Sequence, residues 1–222
     1  IFNEVLNSQV NIKLLIMACI SDDIIRKFYE TSIFGFPKES SILDKASRRA
    51  YLDMCRTLRL KGKISEGEAD VLYKDAAKII TDSIQKLLGT GSQEDFEKKH
   101  EECCNKLIRL YENKNLEFHY GQAQKWINMT MKYLHILRPN GYSLSKSFQY
   151  LHVPIDQIII KAVSAKEEDG GLGVSIEGYN WSRFGKEKYN DIQKDIREKL
   201  KTKGLAPLEW EFNAWNNLKF HD

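Results

Sequence analysis

The sequence predicts an all-α fold, a compact multi-helix domain. Apolar residues recur at the spacing of about 3.6 residues that is typical of helices through most of the chain, and Ser65 with Glu68 forms a capping-box pattern. With 222 residues, 42% of them hydrophobic, the chain is long enough to bury a real core. We expect one domain over 1–222. A division into helical subdomains 1–115 and 116–222, with a cleft between them, is the alternative.

Six helices are predicted in the first two thirds of the chain. They lie near residues 4–19, 22–31, 42–60, 66–88, 93–112 and 120–137. A serine precedes four of them and offers an N-cap oxygen: Ser21, Ser41, Ser65 and Ser92. The sixth helix is expected to end at the Arg-Pro-Asn-Gly sequence of residues 138–141, because proline cannot continue a helix.

The last third of the chain begins with a predicted seventh helix at Pro154. Proline suits the first helical turn, where its missing N–H would have had no partner, and Asp156 would then lie near the positive end of the helix dipole. The remaining predicted elements are a glycine-rich loop or small hairpin over 169–179, a charged helix over 186–202 closed by Gly204, and a short last helix that begins at Pro207.

Cysteine and histidine positions give no indication of a metal centre or another cofactor. The cysteines are Cys19, Cys55, Cys103 and Cys104, and the histidines are His100, His119, His135, His152 and His221. Neither set has zinc or iron–sulfur spacing, so reduced structural thiols are expected. The longest apolar runs fall short of the roughly 20 residues that span a bilayer, and no signal-peptide pattern is seen. We therefore expect an intracellular protein without a membrane segment.

Charge is distributed unevenly along the chain, although its net value is only +3. Between Lys38 and Lys63 there are eight Lys or Arg residues and three acidic residues. From Phe118 to Ile155 there is no Asp or Glu at all, while basic residues continue. A region of one sign favours an anionic partner, because no carboxylate repels the ligand.

The predicted helix over 120–137 carries a polar arc opposite an apolar one. The polar arc holds Gly121, Gln124, Lys125, Asn128, Lys132 and His135. Such an arc is ordinarily the solvated face of an amphipathic helix, but a solvated face usually mixes charges of both signs. Amides and cations without carboxylates are instead suited to binding phosphate oxygens.

Lys125 is also a candidate nucleophile. A lysine attacks as the neutral amine, which is favoured by burial or by a nearby positive charge such as a helix N-terminus. Asp156 ends the acid-free region and is the carboxylate that could serve this lysine. The two residues are 31 positions apart, a separation that lets two helical segments pack side by side.

These residues resemble the helix-hairpin-helix DNA glycosylase superfamily over about residues 110–165. The hairpin and lysine match is Gly-Gln-Ala-Gln-Lys at residues 121–125, and the carboxylate match is Val-Pro-Ile-Asp at residues 153–156. The spacing is most similar to the archaeal 8-oxoguanine DNA glycosylase branch. Ala123 stands where the hairpin has its second glycine.

The resemblance implies a DNA base-excision enzyme that acts on a flipped base without a cofactor. Lys125 would attack the sugar C1′ to form a Schiff base, and Asp156 would stabilise the cationic sugar. The nucleic-acid contacts would come from Gly121, Gln124, Asn128 and Lys132, with Trp181 as a base-stacking residue.

Two other classes of protein remain open from the sequence. A non-catalytic helical module that binds nucleic acid or a small anionic ligand explains the missing acids equally well, and would leave Lys125 exposed and far from any carboxylate. A protein-interaction subunit would present Trp210, Phe212 and Trp215 as an exposed patch. The pattern of the last helix favours docking on the core instead.

Overall fold

A computed structural model describes residues 21–35, 41–137, 143–178 and 180–217. Across these ranges the chain forms eight α-helices and no strand, which confirms the all-α prediction. The chain separates into two compact units, Ile1–Ser40 and Ser41–Asp222. The predicted boundary at residue 115 therefore lies inside the second unit. The predicted helix over 4–19 and the predicted turn at 138–141 lie outside the described residues.

Helix α1 spans Asp22–Tyr29 and continues into a π-helical turn over Glu30–Phe34. The second unit contains α2 (Ile42–Met54), α3 (Glu66–Leu88), α4 (Gln93–Glu112), α5 (Tyr120–Leu137), α6 (Gln157–Ser164), α7 (Lys186–Lys201) and α8 (Pro207–Trp215). The bounds predicted for α3, α4 and α5 are confirmed. Helix α2 is shorter than predicted, because a 3₁₀ turn over Cys55–Thr57 ends it. Residues 170–178 form a loop without strand pairing.

Helix α5 is the centre of the second unit. It contacts α2, α3, α4 and α7, and fifteen of its eighteen residues are buried. Its polar arc is therefore not a solvated face, since Gln124, Asn128 and both lysines are buried with the apolar residues. Periodicity separated the two arcs correctly, but neighbouring helices cover both of them. Buried polar groups require partners, and these define the site described below.

The segment that leads into α6 is extended rather than helical. Asp156 has extended backbone angles and acts as the N-cap of α6, with its Oδ1 accepting a hydrogen bond of 2.9 Å from the Ile159 amide. The prediction that Pro154 begins this helix is thus wrong by about one turn. Proline would permit an earlier start, but contacts with two other helices hold residues 151–156 extended.

Two buried glutamine side chains make those contacts. On α5, Gln124 accepts from the Ile155 N–H at 3.2 Å and donates to the Ile155 carbonyl at 2.9 Å. On α7, Gln193 accepts from the Val153 N–H at 3.1 Å and donates to the Val153 carbonyl at 2.7 Å. Each amide thus pairs with both backbone groups of one residue, as a neighbouring strand would. The segment is held between α5 and α7.

A buried hydrogen-bond network joins this arrangement to α4. Asn128 donates to the Gln124 amide oxygen at 3.0 Å and to the Tyr189 hydroxyl at 2.9 Å. Its own oxygen lies 3.0 Å from His100 Nε2, which must be the donor because a carbonyl oxygen can only accept. The Tyr189 hydroxyl in turn forms a hydrogen bond of 2.7 Å with His152 Nδ1.

Both histidines of this network are neutral at pH 7. Burial lowers the pKa of His100 to about 4, against the hydrogen bond to Asn128, which raises it. Burial lowers the pKa of His152 well below its usual value, and a positive charge on His100, when that ring is protonated, lowers it further. The network therefore binds these elements together without a buried net charge.

Replacing Gln193 with leucine tests the role of the glutamine pairs. Gln193→Leu leaves the buried N–H and carbonyl of Val153 without partners, and we expect the free energy of unfolding to fall by roughly 1–3 kcal/mol for each group. Urea denaturation measures the change. Gln85→Leu, at an exposed position of α3, is the matched control and is expected to shift stability by less than about 0.5 kcal/mol. Equal stability of the two variants would contradict the assigned role.

Acidification is expected to destabilise the fold through the neutral histidines. Between the unfolded pKa of 6.5 and the folded value of about 4, the unfolded chain binds more protons at His100 than the folded one. The contribution of His100 to the free energy of unfolding is therefore fully present above pH 6.5. It falls by roughly 3 kcal/mol as the pH approaches 4. Urea unfolding across this range is the measurement.

The matched comparison for the pH experiment uses two histidine variants. His100→Asn is expected to reduce the slope of stability against pH. His119→Gln, whose half-buried ring lies outside the network, should keep the wild-type slope. A wild-type slope in His100→Asn would show that this histidine is not the group that titrates.

Candidate functional site

A cleft of about 760 Å³ opens on one side of α5. Its walls come from α2, from the start of α6, from the C-terminal half of α8 and from a 3₁₀ turn over Trp181–Arg183. The charged residues that line it are Arg49, Asp53, Arg56, Lys125, Lys132 and Asp156. A cavity of this volume with a few convergent polar groups is the usual form of a ligand site.

Lys125 and Asp156 meet in this cleft. Nζ of Lys125 lies 2.6 Å from Oδ2 of Asp156, and the two side chains are 5% and 16% exposed. The other carboxylate oxygen caps α6, so the carboxylate has one fixed structural contact and one contact with the amine. The sequence prediction that these residues come together agrees with this geometry.

The glutamine pair explains why the two residues meet. Gln124 directly precedes Lys125 on α5, and its partner Ile155 directly precedes Asp156. The two hydrogen bonds therefore fix the register between helix and extended segment one residue before the ion pair. These hydrogen bonds are between neutral groups and do not involve the charged atoms of the ion pair.

A second ion pair lies in the same cleft. Nζ of Lys132 is 2.7 Å from the Glu211 carboxylate, which is only 1% exposed. The same amine lies 4.7 Å from the ring centre of Phe212 and 5.5 Å from that of Trp215. Burial raises the pKa of Glu211, and Lys132 opposes the shift. Lys132 is thus neutralised by a carboxylate, rather than free to hold a phosphate as predicted.

Glu211 was missed from the sequence. It belongs to α8, far along the chain from the acid-free region that pointed to Asp156. A signal existed in the spacing of the last helix, because Glu211 follows Leu208 by three residues and therefore shares its helix face, and Leu208 is an apolar residue of the core. Trp210 is indeed 5% exposed and packs in the core, as expected of a docked last helix.

Aromatic residues form part of the cleft wall. Trp181, the predicted base-stacking residue, is half-buried and lines the cleft. Phe212 and Trp215 line it as well, and Trp215 is 41% exposed. With Trp210 buried, the three aromatic residues of α8 do not form the continuous exposed patch of an interaction subunit.

Gly121, Gln124 and Asn128 face the protein interior instead of the cleft. The Gly121 amide donates to the Phe184 carbonyl at 2.9 Å, and the two side-chain amides are used in the buried network. These three predicted nucleic-acid contacts therefore have structural roles. At Gly121 a Cβ atom would lie 1.9 Å from the carbonyl oxygen of Trp181, so the glycine allows the 181–183 turn to pack against α5.

The two thiols of α4, Cys103 and Cys104, are protonated and buried. Burial raises the pKa of Cys103 to about 11 and that of Cys104 well above its usual range. Together with Cys55 they are the free thiols of the described residues. Within that same part of the chain, no cluster of His, Cys, Asp and Glu is placed to hold a metal ion, and no helix is long and apolar enough to cross a membrane.

Comparison of the chain with protein-family models, with curated proteins and with solved structures gives no match in any of the three. The geometry of the cleft is therefore the basis for any functional conclusion.

Gly121→Ala is expected to destabilise the protein by displacing the 181–183 turn. The added methyl group would overlap backbone, which yields less easily than a side chain, and the cost is about 1–3 kcal/mol. Thermal and urea unfolding measure it. Gly67→Ala is the matched control, because a Cβ there meets nothing within 4 Å and alanine favours the helix. Unchanged stability in Gly121→Ala would contradict the close packing.

Proposed function

We propose that this protein is a DNA base-excision enzyme of the glycosylase/lyase type, with Lys125 as nucleophile and Asp156 as its carboxylate. The observation that carries the proposal is the 2.6 Å contact between Nζ and Oδ2 inside a cleft large enough for a nucleoside. Lys125 is buried, lines the cavity and has a carboxylate beside it that can take its proton, an arrangement that is compatible with Schiff-base chemistry.

In the proposed reaction Asp156 accepts a proton from the Lys125 ammonium. The neutral amine attacks C1′ of a flipped nucleotide, the C1′–N bond breaks, and the base leaves with the bonding electrons and takes up the proton that Asp156 accepted. Opening of the sugar ring then gives a protonated imine between Nζ and C1′. Asp156, returned to its carboxylate form, stabilises the positive charge that develops on the sugar.

The remaining cleft residues suit a nucleotide. Trp181, Phe212 and Trp215 line the cleft, and stacking of a base on an aromatic side chain contributes about 1–3 kcal/mol. Arg49 and Arg56 bring positive charge to the same cleft. Arg49 is 3.1 Å from Asp53, while Arg56 is exposed. Cations beside aromatic faces favour a ligand that combines a base with phosphate.

The second candidate is a non-catalytic module that binds an anionic ligand. The observation in its favour is that both cleft lysines are already paired with carboxylates, as in a purely structural arrangement. The burial of Lys125 beside Asp156 argues against it, because a binding surface needs its lysines accessible. A covalent-trapping experiment separates the two candidates.

Borohydride trapping tests the proposed chemistry. The protein is incubated with duplexes that contain 8-oxoguanine, uracil or an abasic site, and borohydride reduces any imine to a stable amine adduct. We expect an adduct on at least the abasic duplex. Lys125→Gln should abolish it, and Lys125→Arg should do so while keeping a positive charge beside Asp156. Asp156→Asn should slow adduct formation by at least about tenfold.

Lys106→Gln is the control, because this lysine is exposed on α4 and lies outside the cleft. It is expected to form the adduct at the wild-type rate. Circular dichroism melting curves verify that the cleft variants are folded. Salt-dependent DNA binding by the wild type without any adduct would favour the binding module over the enzyme.

A further inference from the structure

A second, smaller cavity of about 180 Å³ lies next to the cleft. Three arginines line it, Arg56, Arg59 and Arg183, and all three are exposed. Glu117 is the acidic residue of its lining and lies 3.6 Å from Arg183. Since both members of that pair are largely exposed, the contact contributes little, and an anion can replace the glutamate.

Buried contacts fix the backbone that carries these arginines. On one side Gln122 donates to the Thr57 carbonyl at 3.1 Å and to its hydroxyl at 2.9 Å, and accepts from the His119 amide at 2.8 Å. These bonds attach the 55–57 turn, and with it Arg56, to the start of α5. Gln122 is itself only 3% exposed, so the attachment is shielded from water.

On the other side the 181–183 turn packs against Gly121. This single turn supplies Trp181 to the cleft and Arg183 to the small cavity. The 55–57 turn likewise supplies Arg56 to both. The two cavities are therefore adjacent, with an aromatic ring and a carboxylate–lysine pair in one and guanidinium groups in the other.

We propose that Arg59 and Arg183, with Arg56 between the two cavities, bind the phosphodiester backbone of the strand whose nucleotide enters the cleft. The inference rests on the proposed function and adds to it the residues that hold the DNA strand beside the flipped nucleotide. A free nucleotide would fill the cleft alone, whereas a strand continues past it and presents further phosphates. Guanidinium groups bind phosphate oxygens through paired hydrogen bonds, which suits this use.

The test is the salt dependence of duplex binding, measured by fluorescence anisotropy with unmodified and abasic duplexes. Removing one phosphate contact lowers the slope of log K against log salt by about 0.9 and weakens binding about five- to tenfold at 0.1 M salt. We expect this for Arg59→Gln and for Arg183→Gln. Arg109→Gln, an exposed arginine of α4 outside both cavities, should keep the wild-type slope.

The outcomes separate this inference from the proposed chemistry. If Arg59→Gln and Arg183→Gln both bind with the slope of Arg109→Gln, the arginine site is wrong even where Lys125 forms an adduct. If their slopes fall while no duplex gives an adduct, the strand-binding site stands and the excision chemistry fails. Absence of salt-dependent DNA binding by the wild type would overturn both.

Discussion

The candidate site depends on the pairing of two buried glutamine amides with the backbone of residues 151–156. A carboxylate at a helix N-cap can lie almost anywhere relative to another helix unless the chain before it is fixed. Gln193 and Gln124 fix it at Val153 and Ile155, two residues apart. An extended segment inside a helical protein has no strand to satisfy its polar groups, and these side chains replace that strand.

The same arrangement explains why the polar face of α5 carries amides. Asn128 bonds to Gln124 on its own helix and to His100 and Tyr189 on others, so one neutral network joins α4, α5 and α7. Neutral groups avoid the large cost of burying a charge. Charge appears on this helix at Lys125 and Lys132, and in both cases a carboxylate lies within 3 Å.

Local signals in the sequence were sufficient for α3, α4 and α5. The Ser65 capping box is formed, and the Ser92 side chain accepts from the Asp95 amide. Features that are determined by contacts with distant residues could not be predicted from these local signals. Pro154 permits a helix start, but Gln124 and Gln193 determine where α6 begins. The polar arc of α5 was identified correctly, while its burial depends on helices that periodicity cannot orient.

The residues of the site also divide into those that the sequence could predict and those that it could not. Asp156 could be paired with Lys125 because the acid-free region left few carboxylates to choose from. Glu211 could not be assigned to Lys132, since the two are separated by 79 positions. The role of Gly121 was also hidden, because a glycine that admits another backbone and a glycine that offers its amide to phosphate look identical in a sequence.

The two ion pairs of the cleft differ in a way that assigns them different roles. The side chain of Glu211 is 1% exposed, and aromatic rings of α8 lie beside its partner Lys132. This pair therefore joins α5 to α8. The carboxylate of Asp156 is 16% exposed and lines the cleft. It can therefore exchange a proton with a ligand. The hydrogen bonds between Gln124 and the Ile155 backbone hold the residue before it, and these bonds carry no charge. For this reason Lys125, and not Lys132, is the lysine to which we assign the chemistry.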